Sequence, residues 1–354
     1  KLKLTLSMDL AIEELEILSN NIELMRDAIV ATTAFARAKG IGGHTGGPYD
    51  IVPEAIIVDA LREGGAPIHD EFFDEAGHRS ALQYVRGAIR GKLDPEKLMH
   101  YREYGSGLAG HPEPELLDCI DFSTGRLGHA AGHVNGVAMA NPGEAVVMFG
   151  SDGSQMEGND AEAARLAVAN NLNVKWIIDD NNVTIAGHPD NYMSGFDVGK
   201  TLEGHGFKIF TCDGEDYASV HGSIVECLKF EGPAAVICKR VMGPGIPDLE
   251  GTSNLHDVIP FDTGVKYLTE RGHSEAVKIL EEIAAEQNAM PAMEFKGSGE
   301  KGACRKQFGT AVANVLKGMS KEERKRVHAF DSDLEGSVGL TTIREEFPDC
   351  FTSA

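Results

Sequence analysis

The chain predicts an α/β protein: a doubly wound, mostly parallel sheet with helices on both faces, followed by the truncated start of a second α/β domain. Three observations carry this. Four strand-like runs, AVVMFG (145–150), VKWII (174–178), FKIFTCDG (207–214) and AAVICKRV (234–241), are apolar through their centres. Helical patterns such as DAEAARLAVANN and YASVHGSIVECLKF separate most of them, and apolar strands alternating with helices imply a parallel sheet covered on both faces. The length, 354 residues, suffices for one large domain and part of another.

In chain order, residues 7–40 place apolar side chains at helical spacing, with Asp9 near the start and Gly40 at the end, and predict one or two helices. A Gly- and His-rich region follows to about residue 140. It opens with the loop GIGGHTGGPYD and an amphipathic helix around IVPEAIIVDALREGG. The four strands occupy 145–241. A polar, Gly- and Lys-rich stretch at 294–307 reads as a linker entering a new helix, and RVHAFDSDLEGS (326–337) as a strand and loop of the second domain. The expected division is a first domain over 1–290, a linker over 291–302 and an incomplete domain over 303–354.

Composition excludes several classes. Lys and Arg number 33 against 55 Asp and Glu, and the resulting charge of −22 opposes any general attraction to nucleic acid or an anionic membrane, leaving room only for local phosphate pockets. The opening KLKLTLSMDLAIEELEILSNN is basic and apolar but has no long uninterrupted apolar segment, so neither a signal peptide nor a membrane span is expected. Six cysteines contain no CxxC pair and several lie in apolar runs. That suits reduced thiols in a cytoplasmic protein, with neither a disulfide nor a zinc site expected from them.

Two of the strands end in unusual clusters. The first delivers Ser151, Asp152 and Gly153; the second delivers Asp179, Asp180, Asn181 and Asn182, with Asn181 lying 29 residues after Asp152. One β-α-β passage of that length returns the second strand end beside the first, where ligands of parallel sheets bind. A carboxylate, an amide oxygen and a backbone carbonyl can hold a hard cation there, with remaining positions for diphosphate oxygens and water. Gly153 lets backbone approach a diphosphate, and a helix start adds N–H donors. Either loop alone would be an ordinary polar turn. The pair points to a magnesium-diphosphate anchor.

At these residues the chain resembles the transketolase-type enzymes that use thiamin diphosphate. Their diphosphate motif is GDG followed, just under thirty residues later, by an Asn pair or Asp-Asn; here it stands as SDG…DDNN, with Ser151 replacing the first glycine. The resemblance implies a thiamin-diphosphate-binding fold with magnesium held by Asp152, Asn181 and the carbonyl of Val183. GGHTGGP resembles the SGHPGAP loop and implies His44 beside the reacting thiazolium. EAGH resembles NGH and implies His78 at the cofactor. GLAGHPEPE resembles the GHPE element, bringing His111 into the substrate channel. STGRLGHAAGHVNGVAMA is similar to TTGPLGQGISNAVGMA, implying Gly125 and Leu127 against the cofactor. GTSNLHD implies that His256 reaches the diphosphate and the substrate. ACRKQFG and SDLEGS resemble segments of the pyrimidine-binding domain, implying Asp333 at the cofactor and Arg305 and Ser337 on a sugar phosphate.

The implied activity is transfer of a two-carbon ketol unit between sugar phosphates, with His44, His111 and His256 handling protons, in a homodimer whose active sites lie between chains. No motif in the chain supplies the glutamate that, in this family, the partner's pyrimidine-binding domain uses to activate the aminopyrimidine. A fragment of a longer enzyme, a site completed by a second subunit, and a non-catalytic thiamin-diphosphate-binding subunit are therefore all expected alternatives. Departures also bear on substrate: Arg126 stands where transketolases have proline, His129 where they have glutamine, and His133 is extra. A deoxyxylulose-phosphate synthase or 2-oxoacid dehydrogenase type of thiamin enzyme is the alternative chemistry. A nicotinamide-binding protein is disfavoured, since no GxGxxG follows an early strand.

Overall fold

The computed structural model describes residues 2–289, 302–331 and 334–353. They fall into two compact units, residues 1–182 with 195–289, and residues 183–194 with those from 290 onward.

The first unit opens with one long helix, α1 (Ile12–Ala38), rather than two. The Glu14 carboxylate accepts from the Ala11 amide at 2.9 Å, meeting a donor that the helix start leaves unpaired. Gly40 ends the helix at φ +73°, which lets the Ile41 amide return to the Ala36 carbonyl at 2.9 Å. A short helix, α2 (Gly46–Asp50), runs almost directly into α3 (Val52–Glu63), whose Pro53 sits in the first turn where no N–H is needed. Strand β1 (Phe73–Asp74), helix α4 (Ser80–Ile89) and helix α5 (Ala130–Ala140) follow. The predicted strands are β2 (Val146–Ser151), β3 (Val174–Asp180), β4 (Lys208–Asp213) and β5 (Ala234–Lys239). Between them run α6 (Gly158–Ala169), α7 (Pro189–Tyr192, within the second unit), α8 (Val198–His205) and α9 (Tyr217–Lys229), and α10 (Phe261–Glu270) and α11 (Ser274–Ala289) close the unit.

All five strands are parallel, in the order β1-β2-β3-β5-β4. Trp176, Met148, Ile178 and Ile237 pack on one face with Val134, Ala164 and Leu202 from α5, α6 and α8, and the Trp176 ring lies 4.7 Å from that of Phe207. Each large apolar side chain buried there contributes roughly 1.5–3 kcal/mol. Strand β4 departs from the expected double burial. It is the sheet edge, and Lys208, Thr211 and Asp213 are exposed there. Charge on an edge strand discourages pairing with another sheet.

The second unit contains α12 (Cys304–Gly318), α13 (Lys321–Arg324), β6 (Ala329–Asp331), α14 (Glu335–Val338), α15 (Thr341–Glu346) and β7 (Phe351–Ser353). β6 is the strand expected within 326–337, and it pairs in parallel with β7. Ala313, Leu316, Ile343 and Phe347 form its core. Helix α12 begins at Cys304, within the 294–307 stretch read as entering a new helix. All six cysteines are free thiols. Among the described residues no helix is long and apolar enough to cross a membrane.

Candidate active site

Two adjacent strand ends build the first half of the site. β2 and β3 run in register with Ser151 opposite Asp179, so Asp152, one residue further on, and Asn181, two residues further on, leave neighbouring strand ends. The Asp152 amide donates to the Asp179 carbonyl at 3.0 Å, extending the ladder by one bond. The Asp152 side chain is buried. Its Oδ1 accepts from the Gly153 amide at 2.8 Å, while Oδ2 has no hydrogen-bond partner. Burial, then the neighbouring charges of Asp179 and Asp180, push this carboxyl well above the usual range. A buried carboxylate with an unpartnered oxygen beside two more acids lacks a counter-charge, and a hard divalent cation supplies one.

The loop at Ser151 also shows what the substituted glycine does. Ser151 Oγ accepts from the Ser154 amide at 3.1 Å, and Ser154 Oγ accepts from the Ser151 amide at 3.0 Å. These reciprocal bonds tighten the turn that leads into the single 3-10 turn Ser154–Met156. Gly153 has ordinary right-handed dihedrals, φ −62° and ψ −39°, so its use here is small size rather than conformational freedom.

Behind the anchor lies a charged network that sequence reasoning did not single out. Asn181 Nδ2 donates to Asp50 Oδ2 and to Asp179 Oδ2, both at 3.0 Å. Both N–H bonds of the amide are thereby engaged inward, which sets the amide oxygen on the opposite side. The Gly243 amide donates to Asp50 Oδ1 at 2.7 Å. Arg240, just past β5, donates to the Glu54 carboxylate and the Asp50 carbonyl and faces Asp179 Oδ1 at 3.2 Å. Burial pushes Asp179 up to about 7, with Arg240 pulling the other way, and raises Asp50 well above its ordinary range. The available signal was DDNN itself: four polar side chains at the end of a buried strand need an internal partner.

Histidines build the second half. The His44, His78 and His256 rings form a triangle with centroids 4.9, 5.2 and 5.2 Å apart. They come from the loop before α2, the 3-10 turn Gly77–Arg79 and the 3-10 turn Ser253–His256. Thr45 ties two of these segments: its amide donates to the Asp257 carbonyl at 3.2 Å, and its Oγ1 accepts from the Ile259 amide at 2.9 Å. Gly46 permits the close approach, since a Cβ there would lie 2.7 Å from Met242 Sδ and 2.8 Å from the Leu255 carbonyl oxygen. Burial lowers His44 to about 3, with nearby His256 and Arg102 adding to it, and lowers His78 well below its usual value. Both imidazoles are therefore neutral at neutral pH.

His111 is exposed, on the rim. Burial of part of its ring, then Arg102, lowers it too. A Cβ on Gly125 would stand 3.1 Å from its Cδ2, and a Cβ on Gly77 would strike the Thr124 carbonyl group, so backbone packing joins the histidine segments to the 123–126 loop. His111, Gly125, Arg126, His129 and His133 line a cavity of about 470 Å³. Leu127 is half-buried and outside that lining.

Residues 26–308 match the family described as transketolase, thiamine diphosphate binding domain. The chain belongs to that family.

Similar transketolases include those of Staphylococcus epidermidis, 29% identical over 256 residues, covering 66% of this chain and 38% of that protein. That of Rhodobacter capsulatus is 30% identical over 287 residues, covering 73% of this chain and 41% of its own length. The chain thus spans about two fifths of the length of the curated relatives it matches. In fold it is similar to the Campylobacter jejuni transketolase, with a TM-score of 0.63 at 21% identity over 90% of this chain and 58% of that one. A Pichia stipitis transketolase variant gives the same score and identity over 90% and 56%. The doubly wound parallel sheet is the fold of these transketolases.

For the transketolase-family site, the first unit brings together Asp152, Gly153 and Asn181 at the strand ends, and separately His44, His78, His111, His256 and Gly125. Val183 follows Asn182 directly and belongs to the second unit, as do Arg305, exposed on the first turn of α12, and Ser337, half-buried on α14. Asp333 lies outside the described residues.

Proposed function

We propose that this chain carries the diphosphate-anchoring half of a transketolase-type transferase that moves a two-carbon ketol unit between sugar phosphates, in the cytoplasm. The observation that carries the reading is the buried, under-partnered Asp152 carboxylate just past the end of β2, whose paired neighbour β3 leads into Asn181. Asp152, the Asn181 amide oxygen and the Val183 carbonyl would hold magnesium; with His78, Gly125, Leu127, Gly153, His256 and Asp333 they would hold thiamin diphosphate. That cofactor supplies, when bound, the nucleophilic carbon and the electron sink that ketol transfer needs. His44 and His78, neutral by burial, offer one nitrogen as donor and one as acceptor to hydroxyl and carbonyl oxygens, and His111 and His256 extend the row toward substrate. Arg305 and Ser337 would grip the distant phosphate and set its orientation.

Aminopyrimidine activation falls to a glutamate that no motif here supplies. A partner chain in a two-fold dimer, or a second subunit, is its proposed source. Titration calorimetry with thiamin diphosphate and magnesium tests the core of the proposal. Binding that needs magnesium and is lost in Asp152→Ala supports it; magnesium-independent binding that survives the substitution ends it. A ketol-transfer assay on the full assembly then separates an enzyme from a binding subunit.

Arg126, His129 and His133 favour a second reading. The Arg126 guanidinium, with the ring nitrogens of His129 and His133 as further hydrogen-bonding groups around the 470 Å³ cavity, suits a carboxylate-bearing donor such as a 2-oxoacid. Turnover with pyruvate and none with ketose phosphates would select it.

A further inference from the structure

The histidine triangle has ligand chemistry of a different kind from the magnesium anchor. The donor atoms of His44, His256 and Asp257 all lie within 4.8 Å of one another, and among the described residues this is the one such group of three or more His, Cys, Asp or Glu. His44 Nδ1 and His256 Nδ1 are buried without a hydrogen-bond partner, and His256 Nδ1 is 4.0 Å from Asp257 Oδ1. His78 supplies a third imidazole, and with it a fourth donor, at 4.9 and 5.2 Å between ring centroids. Thr45 holds the 44–46 loop and the 257–259 segment together, so the donors are set before any ion arrives.

We propose that His44, His256 and Asp257, with His78 as fourth donor, form a site for a borderline divalent transition ion, for which zinc is the best fit. Imidazole nitrogen and one carboxylate oxygen suit zinc, copper and nickel, whereas magnesium prefers an all-oxygen octahedron. Zinc bonds of about 2.0–2.1 Å place tetrahedral donors about 3.3 Å apart, so modest side-chain rotation closes the present spacing. The site uses neither Asp152 nor Asn181, and ion binding there does not depend on the proposed activity; only its inhibitory effect rests on that reading. An ion held here occupies the nitrogens that ketol transfer would use. Zinc is therefore a reversible inhibitor of whatever chemistry the histidines perform, relieved by a chelator.

The test is calorimetric titration of the chain with zinc chloride in saturating magnesium chloride. One zinc per chain is expected, weakened at least tenfold in His44→Gln and in His256→Gln and unchanged in Asp152→Asn. Failure to bind zinc, zinc affinity left unchanged by both histidine substitutions, or loss confined to Asp152→Asn overturns the proposal. The unaltered chain with cobalt(II) gives a check that no folding defect can mimic. Intense visible bands of a tetrahedral nitrogen and oxygen set support the site, and the weak bands of an octahedral ion overturn it. Loss of zinc binding with thiamin diphosphate binding intact would fail this inference alone.

Discussion

Arg240 Nε faces Asp179 Oδ1 at 3.2 Å with the two side chains 0% and 1% exposed. The same guanidinium meets Glu54 and stands 3.3 Å from Glu215 Oε1, and Glu215 in turn takes both arms of Arg26 at 2.8 Å. One cation thus balances several acids directly behind the strand ends, and Asn181 takes its orientation from Asp50 and Asp179.

Arg240→Met removes that cation and leaves Asp50, Glu54 and Asp179 buried together. Breaking a buried pair from one side costs about 3–5 kcal/mol. Urea denaturation should show a loss of that size. Arg240→Lys should recover only part of it, because a point charge cannot reproduce the fork that reaches Glu54 and the Asp50 carbonyl together. A loss below about 1 kcal/mol for the methionine variant would mean the acids carry no charge in the folded chain.

Much of the anchor is legible in the amino-acid sequence. Strand β2 is a continuous apolar run and β3 is one broken only by Lys175, and their ends show because Asp, Asn and Gly interrupt them. The network behind them is not legible, because Asp50, Glu54 and Arg240 look in sequence like any solvated charges. Strand β1, two residues long, has too few positions to show a period. Apolar runs also carry no record of their neighbours, so the insertion of β5 between β3 and β4 leaves no mark in the sequence. The histidine triangle is reachable only through resemblance, since the Gly-rich loops bearing it have no periodicity to place them.

A second buried acid pair governs pH dependence. Asp160 is pushed up to about 10, by burial first and then by Glu75, itself raised mainly by burial. A carboxyl raised on folding favours the protonated folded state, so its stabilising contribution is full below the unfolded value near 3.8 and is lost as pH rises toward about 10. Asp160→Asn keeps an acceptor for Gln155 Nε2, now 2.8 Å from Asp160 Oδ2, and removes the titration. The variant should gain about 1–3 kcal/mol over the original chain at pH 8 and nothing near pH 4, as read from thermal unfolding at both pH values. A gain that does not change with pH would show that the pair does not titrate across this window.

Gly46→Ala probes the closeness of the histidine loops. The new methyl would press on Met242 Sδ at 2.7 Å, which a flexible thioether can yield, and on the Leu255 carbonyl oxygen at 2.8 Å, which backbone cannot yield cheaply. Overpacking of this kind costs about 1–3 kcal/mol. It should also part His44 from His256, weakening zinc at least tenfold while magnesium-dependent thiamin diphosphate binding falls less. Equal loss of both would mean the loop positions the whole site rather than the histidines alone.

Ser151→Gly restores the glycine that the family's motif carries. The substitution deletes the Oγ that accepts from the Ser154 amide at 3.1 Å, and adds backbone freedom to the turn. Loss of one such local side-chain acceptor costs about 0.5–2 kcal/mol, which should appear in the unfolding midpoint. The anchor itself is untouched, because the Asp152 amide bond to Asp179 and the Gly153 amide bond to Asp152 Oδ1 do not use the serine side chain. Thiamin diphosphate affinity in magnesium should therefore stay within about twofold, a difference of roughly 0.4 kcal/mol. A large gain in affinity would instead show that Ser151 crowds the diphosphate, and that this chain has traded cofactor binding for a tighter turn.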